Sequence, residues 1–175
     1  MVYNIGIYTK RKYTSRKDIK AYKIWKGMIQ RCYSEESLKR FPTYRGCKVC
    51  DEWLYFQNFA EWFYTNYVEG WTLDKDILGD GKLYSSETCC FVPNRINNLL
   101  TRHWENAFGQ GVKMQGNRFR VQVNTLNVKR KHIGYYGKAD EAKSAYSEAK
   151  RKAIEEIVNY YPLKDKIKES IIQKI

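Results

Sequence analysis

Hydrophobic positions along the chain change period several times, and each change marks an element. Ile19, Tyr22, Trp25, Met28 or Ile29, and Cys32 recur at helical spacing behind a capping-box-like Ser15 and Asp18, which predicts an amphipathic helix over residues 16–33. Lys17, Lys20, Lys23 and Lys26 fall on this helix, either as phosphate contacts or as a solvated basic face. From Trp53 to Trp71, nine of nineteen residues are aromatic and none is Lys or Arg. Phe56, Phe59, Ala60, Phe63 and Tyr67 form one helical stripe there, so the stretch reads as core; base-stacking aromatics normally alternate with cations. Residues 71–78 then read as a strand, Gly79-Asp80-Gly81 as a turn, and Tyr84 to Val92 as a return strand. Pro93 suits the first turn of a helix over 94–102, on which Asn94, Asn97 and Asn98 share a face. This is a ββα unit with flanking helices.

The C-terminal part follows a different period. In Arg118-Phe119-Arg120-Val121-Gln122-Val123, strict alternation puts Phe119, Val121 and Val123 on one face and Arg118, Arg120 and Gln122 on the other. Gly111 to Met114 and Lys129 to Tyr136 supply two more strands. Ala142, Ala145, Tyr146, Ala149, Ala153 and Ile157 repeat as the stripe of a helix that would cover the apolar face. The expected fold class is α+β, with a three-stranded antiparallel sheet packed on one helix beside the ββα unit. The outer sheet face would carry Arg, Lys and Gln, side chains able to read base edges in a major groove. The tail, 161–175, reads as a short helix packed on one of the modules.

Charge sharpens this division. The 175 residues carry a net charge of +13, made up of +5 over residues 1–20, zero over 21–107 and +8 over 108–175. The expected organisation is a basic N-terminal arm (1–20), a neutral aromatic-rich module (21–107), a basic sheet-and-helix module (108–160) and the helical tail (161–175), with a boundary near His103 to Gly109. Such a balance favours a polyanionic partner, nucleic acid before an anionic membrane surface. No apolar run approaches the ~18 residues of a membrane span and no secretory leader is evident, so no membrane partner and a cytoplasmic location are expected. Five cysteines without an export signal suggest reduced thiols. Cys47-x2-Cys50, with Cys89 and Cys90, leaves a structural zinc open, although adjacent cysteines rarely both reach one tetrahedral ion.

Several separated blocks carry a resemblance: Trp25, Met28, Arg31, Cys32 and Tyr33; Tyr44, Gly46, Val49 to Trp53; Leu73 to Leu78; and Cys89, Phe91 to Pro93 with Ile96 to Asn98. Over residues 21–102 the chain resembles phage HNH-endonuclease-like proteins. The resemblance implies a divalent cation, Mg2+ or Mn2+, held by Asp74 and by Asn97 or Asn98, with a general-base histidine directly after the Asp. That position holds Lys75, and the flanking Asp74 and Asp76 favour its charged form, which makes it a poor water-activating base. The histidines, His103 and His132, lie outside the motif. Read without the resemblance, Asp74 and Asp76 are strand residues that pair with lysine or cap a turn, and Asn97 and Asn98 are surface amides. The resemblance also implies that Cys32, Cys50 and Cys89 are buried packing thiols rather than zinc ligands.

Gly111-Val-Lys113, Arg118 to Val123, Ile133-Gly-x-Tyr136 and Asp140 to Ala149 are similar to the plant ethylene-response-factor DNA-binding domain. The likeness implies that Lys113, Arg118, Arg120, Gln122, Arg130 and His132 face double-stranded DNA while Ile133 and Tyr136 pack inside. His132 departs from the large aromatic usual at its position, so base preference does not carry over. Three functions follow as expectations. The first is a double-stranded-DNA-binding protein of phage type with a divergent HNH-like module, acting in the host cytoplasm. The second is a metal-dependent nicking or homing endonuclease. The third is a non-enzymatic factor acting on a host nucleic-acid-processing or defence complex.

Overall fold

The computed structural model describes residues 1–100 and 107–174, with the side chains of Leu99 and Leu100 left aside. The chain is α+β and divides into two compact units, 1–94 and 95–175. The division falls just before Arg95; part of the boundary region expected near His103 lies outside the described residues.

The first unit contains helices α1 (Ile19–Tyr33), α2 (Glu35–Arg40), α3 (Asp51–Leu54) and α4 (Phe56–Asn66), with strands β1 (Lys48–Val49), β2 (Trp71–Asp74), β3 (Leu83–Tyr84) and β4 (Cys90–Pro93). The aromatic stripe is core, as its spacing predicts: Phe56, Phe59, Ala60 and Phe63 are buried. They pack with Trp25, Met28, Ile29 and Cys32 of α1, and the Trp25 indole N–H donates to the Trp53 carbonyl at 2.7 Å. Ala21 occupies the core in place of Ile19, which is exposed. Helix α1 also begins later than residue 16. Thr14, not Ser15, organises the entry: its hydroxyl accepts from Lys17 N–H at 3.2 Å and its own N–H donates to the Asp18 carboxylate at 2.6 Å. Residues 15–18 form a turn ahead of α1.

Much of the basic N-terminal segment is fastened to this unit. Ile7 N–H donates to the Leu54 carbonyl at 2.7 Å and Phe56 N–H to the Ile7 carbonyl at 3.0 Å. The Gln57 side chain donates to the carbonyls of Thr9 and Tyr13 and accepts from Tyr13 N–H. Strand β2 pairs antiparallel with β4, Asp74 opposite Cys90. The return strand is split, because β3 pairs in parallel with β1 rather than with β2.

The second unit contains α5 from Arg95 onward (the helix spans Asn94–Leu100), strands β5 (Val112–Gln115), β6 (Arg118–Val123) and β7 (Lys131–Tyr136), and helices α6 (Ala139–Tyr160) and α7 (Asp165–Gln173). The strands form an antiparallel sheet in the order β5-β6-β7. Val112, Val121 and Ala142 are buried at its junction with α6, flanked by Phe119, Ile133, Tyr136 and Tyr146. Small residues permit this approach. Gly111 has a φ of +71°, and a Cβ there would meet the Tyr146 ring at 2.0 Å, so glycine is required for both conformation and space. Helix α7 buries Ile167 and Ile171 and packs on α6, which assigns the tail to the second unit.

Candidate nucleic-acid interface

The sheet register decides which side chains share a face. Lys113 lies opposite Arg120 and Gln115 opposite Arg118 across β5 and β6; Arg120 lies opposite Tyr135, and Gln122 opposite His132, across β6 and β7. Residues directly opposite in a ladder project to the same side. Lys113, Arg118, Arg120, Gln122 and His132 are therefore co-facial, on the side away from the Val112, Val121 and Ala142 core. Lys113, Arg118 and His132 are exposed, whereas Arg120 and Gln122 are half-buried. Among the described residues no ion pair involves this face; Asp140 with Lys143, Glu148 with Lys152 and Arg151 with Glu155 pair within α6.

Arg130 differs from the expected placement. It precedes β7, in the segment joining it to β6, with a left-handed φ of +53°. Its N–H donates to Asn124 Oδ1 at 2.8 Å, and its carbonyl accepts from Gln122 Nε2 at 3.1 Å. One Gln122 amide N–H is thus engaged within the fold, leaving the second N–H and the oxygen to offer a base. Two residues join the face that the motif did not include. Gln115 was accessible by alternation, standing two positions after Lys113. Tyr135 was hidden by a bulge: Val121 faces Gly134 while Gln122 faces His132, so Ile133 is the extra residue and ordinary alternation from His132 fails. The His132 and Tyr135 rings lie 4.9 Å apart, and the Tyr135 hydroxyl points to Gln115 Oε1 at 3.5 Å.

The candidate HNH residues are arranged differently. Asp74 is buried, and its Oδ1 accepts from the backbone N–H groups of Asp76 and Ile77, both at 2.8 Å. This side-chain turn ends β2 at Asp74, which is why the strand stops short of residue 78. Burial pushes the Asp74 carboxyl above its ordinary range, against the two amides, which lower it. Lys75 Nζ meets Asp76 Oδ1 at 2.7 Å and lies over the rings of Tyr44 and Tyr84. Burial pulls the ammonium down, but the Asp76 carboxylate more than reverses it, so Lys75 stands above its ordinary value and keeps its proton at neutral pH. Asp74 belongs to the first unit and Asn97 and Asn98 to the second. His103 lies outside the described residues.

None of the five cysteines is in a disulfide. Burial drives the thiols of Cys32 and Cys89 up to about 12, and that of Cys50 upward as well, the opposite of what a thiolate ligand needs. Cys47 Sγ faces the Gly81 carbonyl at 3.5 Å. Among the described residues no group of three or more His, Cys, Asp or Glu side chains is placed to hold a metal ion. Nor is any helix among them long and apolar enough to cross a membrane.

Of the lysines on or near α1, Lys20 pairs with Glu69, and in the preceding segment Lys12 pairs with Glu61 at 2.9 Å. Lys17, Lys23 and Lys26 are exposed. Compared with protein-family models, curated proteins and solved structures, the chain finds no match in any of the three.

Proposed function

We propose that the chain is a double-stranded-DNA-binding protein that presents the outer face of β5-β6-β7 to the duplex and does not cut it. The observation that carries this reading is the register, which gathers Lys113, Arg118, Arg120, Gln122 and His132 on one sheet face without a carboxylate partner among the described residues. Like charges on adjacent strands repel, and a polyphosphate relieves that repulsion. Three strands spaced about 4.8 Å apart make a ribbon about 10 Å across between its outer strands. That width suits a B-form major groove of about 12 Å, where Arg can bond guanine and the Gln oxygen can accept from a base amino group. The exposed lysines of α1 and the turn before it add sequence-independent attraction.

The test is a fluorescence-anisotropy titration of labelled duplex against salt, with Arg118→Ala and Arg120→Ala measured singly. Each is expected to weaken binding by about 1–3 kcal/mol where the guanidinium bonds a base edge, and one that meets phosphate to flatten the salt slope by about one unit. Wild-type affinity and slope retained in both variants would remove the sheet face from the interface.

A further inference from the structure

The second unit also holds an open cavity of about 1170 Å3. Its walls come from the segment 124–130, the start of β5 and one side of α6, with Arg95 of α5 contributing. Among the described residues that line it, six are cations, Arg95, Lys113, Arg120, Lys129, Arg130 and Lys150, and none is Asp or Glu. Val112, Val123, Ile154 and Ile157 provide an apolar lining beside them.

Three features make this more than a patch of surface charge. Six cations around one space, with no carboxylate among the described residues of its walls, raise a positive potential that a concave, partly apolar wall concentrates. Arg120 Nε is buried without a hydrogen-bond partner among the described residues, and an unsatisfied buried donor of this kind is costly until an acceptor meets it. The wall is also already ordered. Thr125 N–H donates to the Val128 carbonyl at 2.9 Å, Val128 N–H to Thr125 Oγ1 at 3.2 Å, and the Arg95 guanidinium to the Thr125 carbonyl. With the two bonds that fix Arg130, this network sets the backbone that carries Lys129 and Arg130 before any ligand arrives, and reduces the ordering cost of binding.

A cationic wall beside an apolar one suits a ligand that has a multiply charged end and an apolar body. Inorganic phosphate would leave the apolar lining unused. A duplex is too wide for the space, which slightly exceeds the roughly 300–1,000 Å3 of common small-ligand pockets. We propose that this cavity binds a nucleotide through its phosphates, either as a free nucleoside triphosphate or as an unpaired nucleotide of a strand. The site shares Lys113, Arg120 and Gln122 with the duplex reading but does not depend on it. Lys129 and Lys150 line the cavity and are not strand residues of the sheet face, whereas Arg118 is on that face and does not line the cavity.

The experiment uses the full chain and two probes at low salt, ATP by calorimetry and a labelled single-stranded dT8 by anisotropy. The proteins are wild type, Lys129→Ala/Lys150→Ala and Arg118→Ala. Lys150 Nζ donates to Gln110 Oε1 at 2.7 Å, so Lys129→Ala alone, on an exposed position, serves if the double variant melts early. Binding of at least one probe is expected to fall about tenfold in the double variant, the scale of one or two lost charge-assisted bonds, and by less in Arg118→Ala, which lies outside the cavity. Tighter binding of ATP identifies the free nucleotide as the ligand, and tighter binding of dT8 identifies the strand. Absence of binding by either probe at millimolar concentration, or an equal loss in Arg118→Ala, overturns the proposal. A duplex titration on the same proteins reports the sheet face separately, so the two readings fail independently.

Discussion

The two units handle their charges in opposite ways. In the first, several candidate functional cations and anions are engaged within the fold: Lys12 with Glu61, Lys20 with Glu69, Lys75 with Asp76, and Asp74 with two backbone amides. In the second, three ion pairs lie within α6, while the sheet face holds Lys113, Arg118 and Arg120 without an acidic partner among the described residues. Paired charges contribute to the fold or to solubility, whereas unpaired clustered charges leave binding free energy for a partner of opposite sign. The aromatic core belongs to the first unit and the electrostatic opportunity to the second.

The largest effect should come from breaking the aromatic core. Trp25 is fully buried against Phe56 and bonds the Trp53 carbonyl, so Trp25→Ala removes packing and orphans a carbonyl at once. A loss of about 3–5 kcal/mol is expected, read as a lower urea midpoint by circular dichroism. A change below about 1 kcal/mol would mean that the first unit is not held together by this cluster.

A smaller effect sharpens the electrostatic half of the comparison. Lys17, Lys23 and Lys26 are exposed, and replacing all three with Ala is expected to lower duplex affinity at low salt and flatten the salt slope. At physiological salt, with screening over about 8 Å, the triple variant should approach wild type, while Arg118→Ala stays weakened. A triple variant that loses more affinity than Arg118→Ala at both salt concentrations would move the principal interface to the first unit.

Legibility in the sequence did not follow the division between the units but the presence of a single period. Strand alternation over Arg118 to Val123 and the alanine stripe of α6 were readable because each position's side is set by one period, 2 or 3.6 residues. The aromatic stripe of α4 was readable for the same reason. What escaped depends on contacts between distant segments or on irregular backbone. The pairing of β3 with β1 joins residues 35 positions apart, which periodicity does not encode. Tyr135 reaches the sheet face only through the Ile133 bulge, and Arg130, with its left-handed φ, lies before β7 rather than within it. Thr14 rather than Ser15 holds the turn ahead of α1, because its hydroxyl meets Lys17 N–H and Asp18 reaches back to its N–H, a competition between two neighbouring hydroxyl residues that spacing alone does not resolve.

Asp74 carries the finest test, because a metal ligand and a turn-forming carboxylate respond differently to the same pair of substitutions. Asp74→Asn keeps an oxygen able to accept from Asp76 and Ile77 N–H, and it removes a charge that burial disfavours, so stability should change little. Asp74→Ala removes both acceptor interactions and should cost about 1–3 kcal/mol. If the residue serves the turn alone, supercoiled plasmid incubated with Mg2+ or Mn2+ remains intact with wild type and with both variants. If it holds a catalytic cation, wild type nicks the plasmid and both variants fail, since a neutral amide is a weak ligand for a hard divalent ion. The ion pair between Lys75 and Asp76 favours the first outcome, because it keeps the side chain in the histidine's place protonated and unable to accept a proton from water. Metal-dependent nicking that disappears in Asp74→Asn, with its melting temperature unchanged, would erase the contrast between a structural first unit and a binding second one.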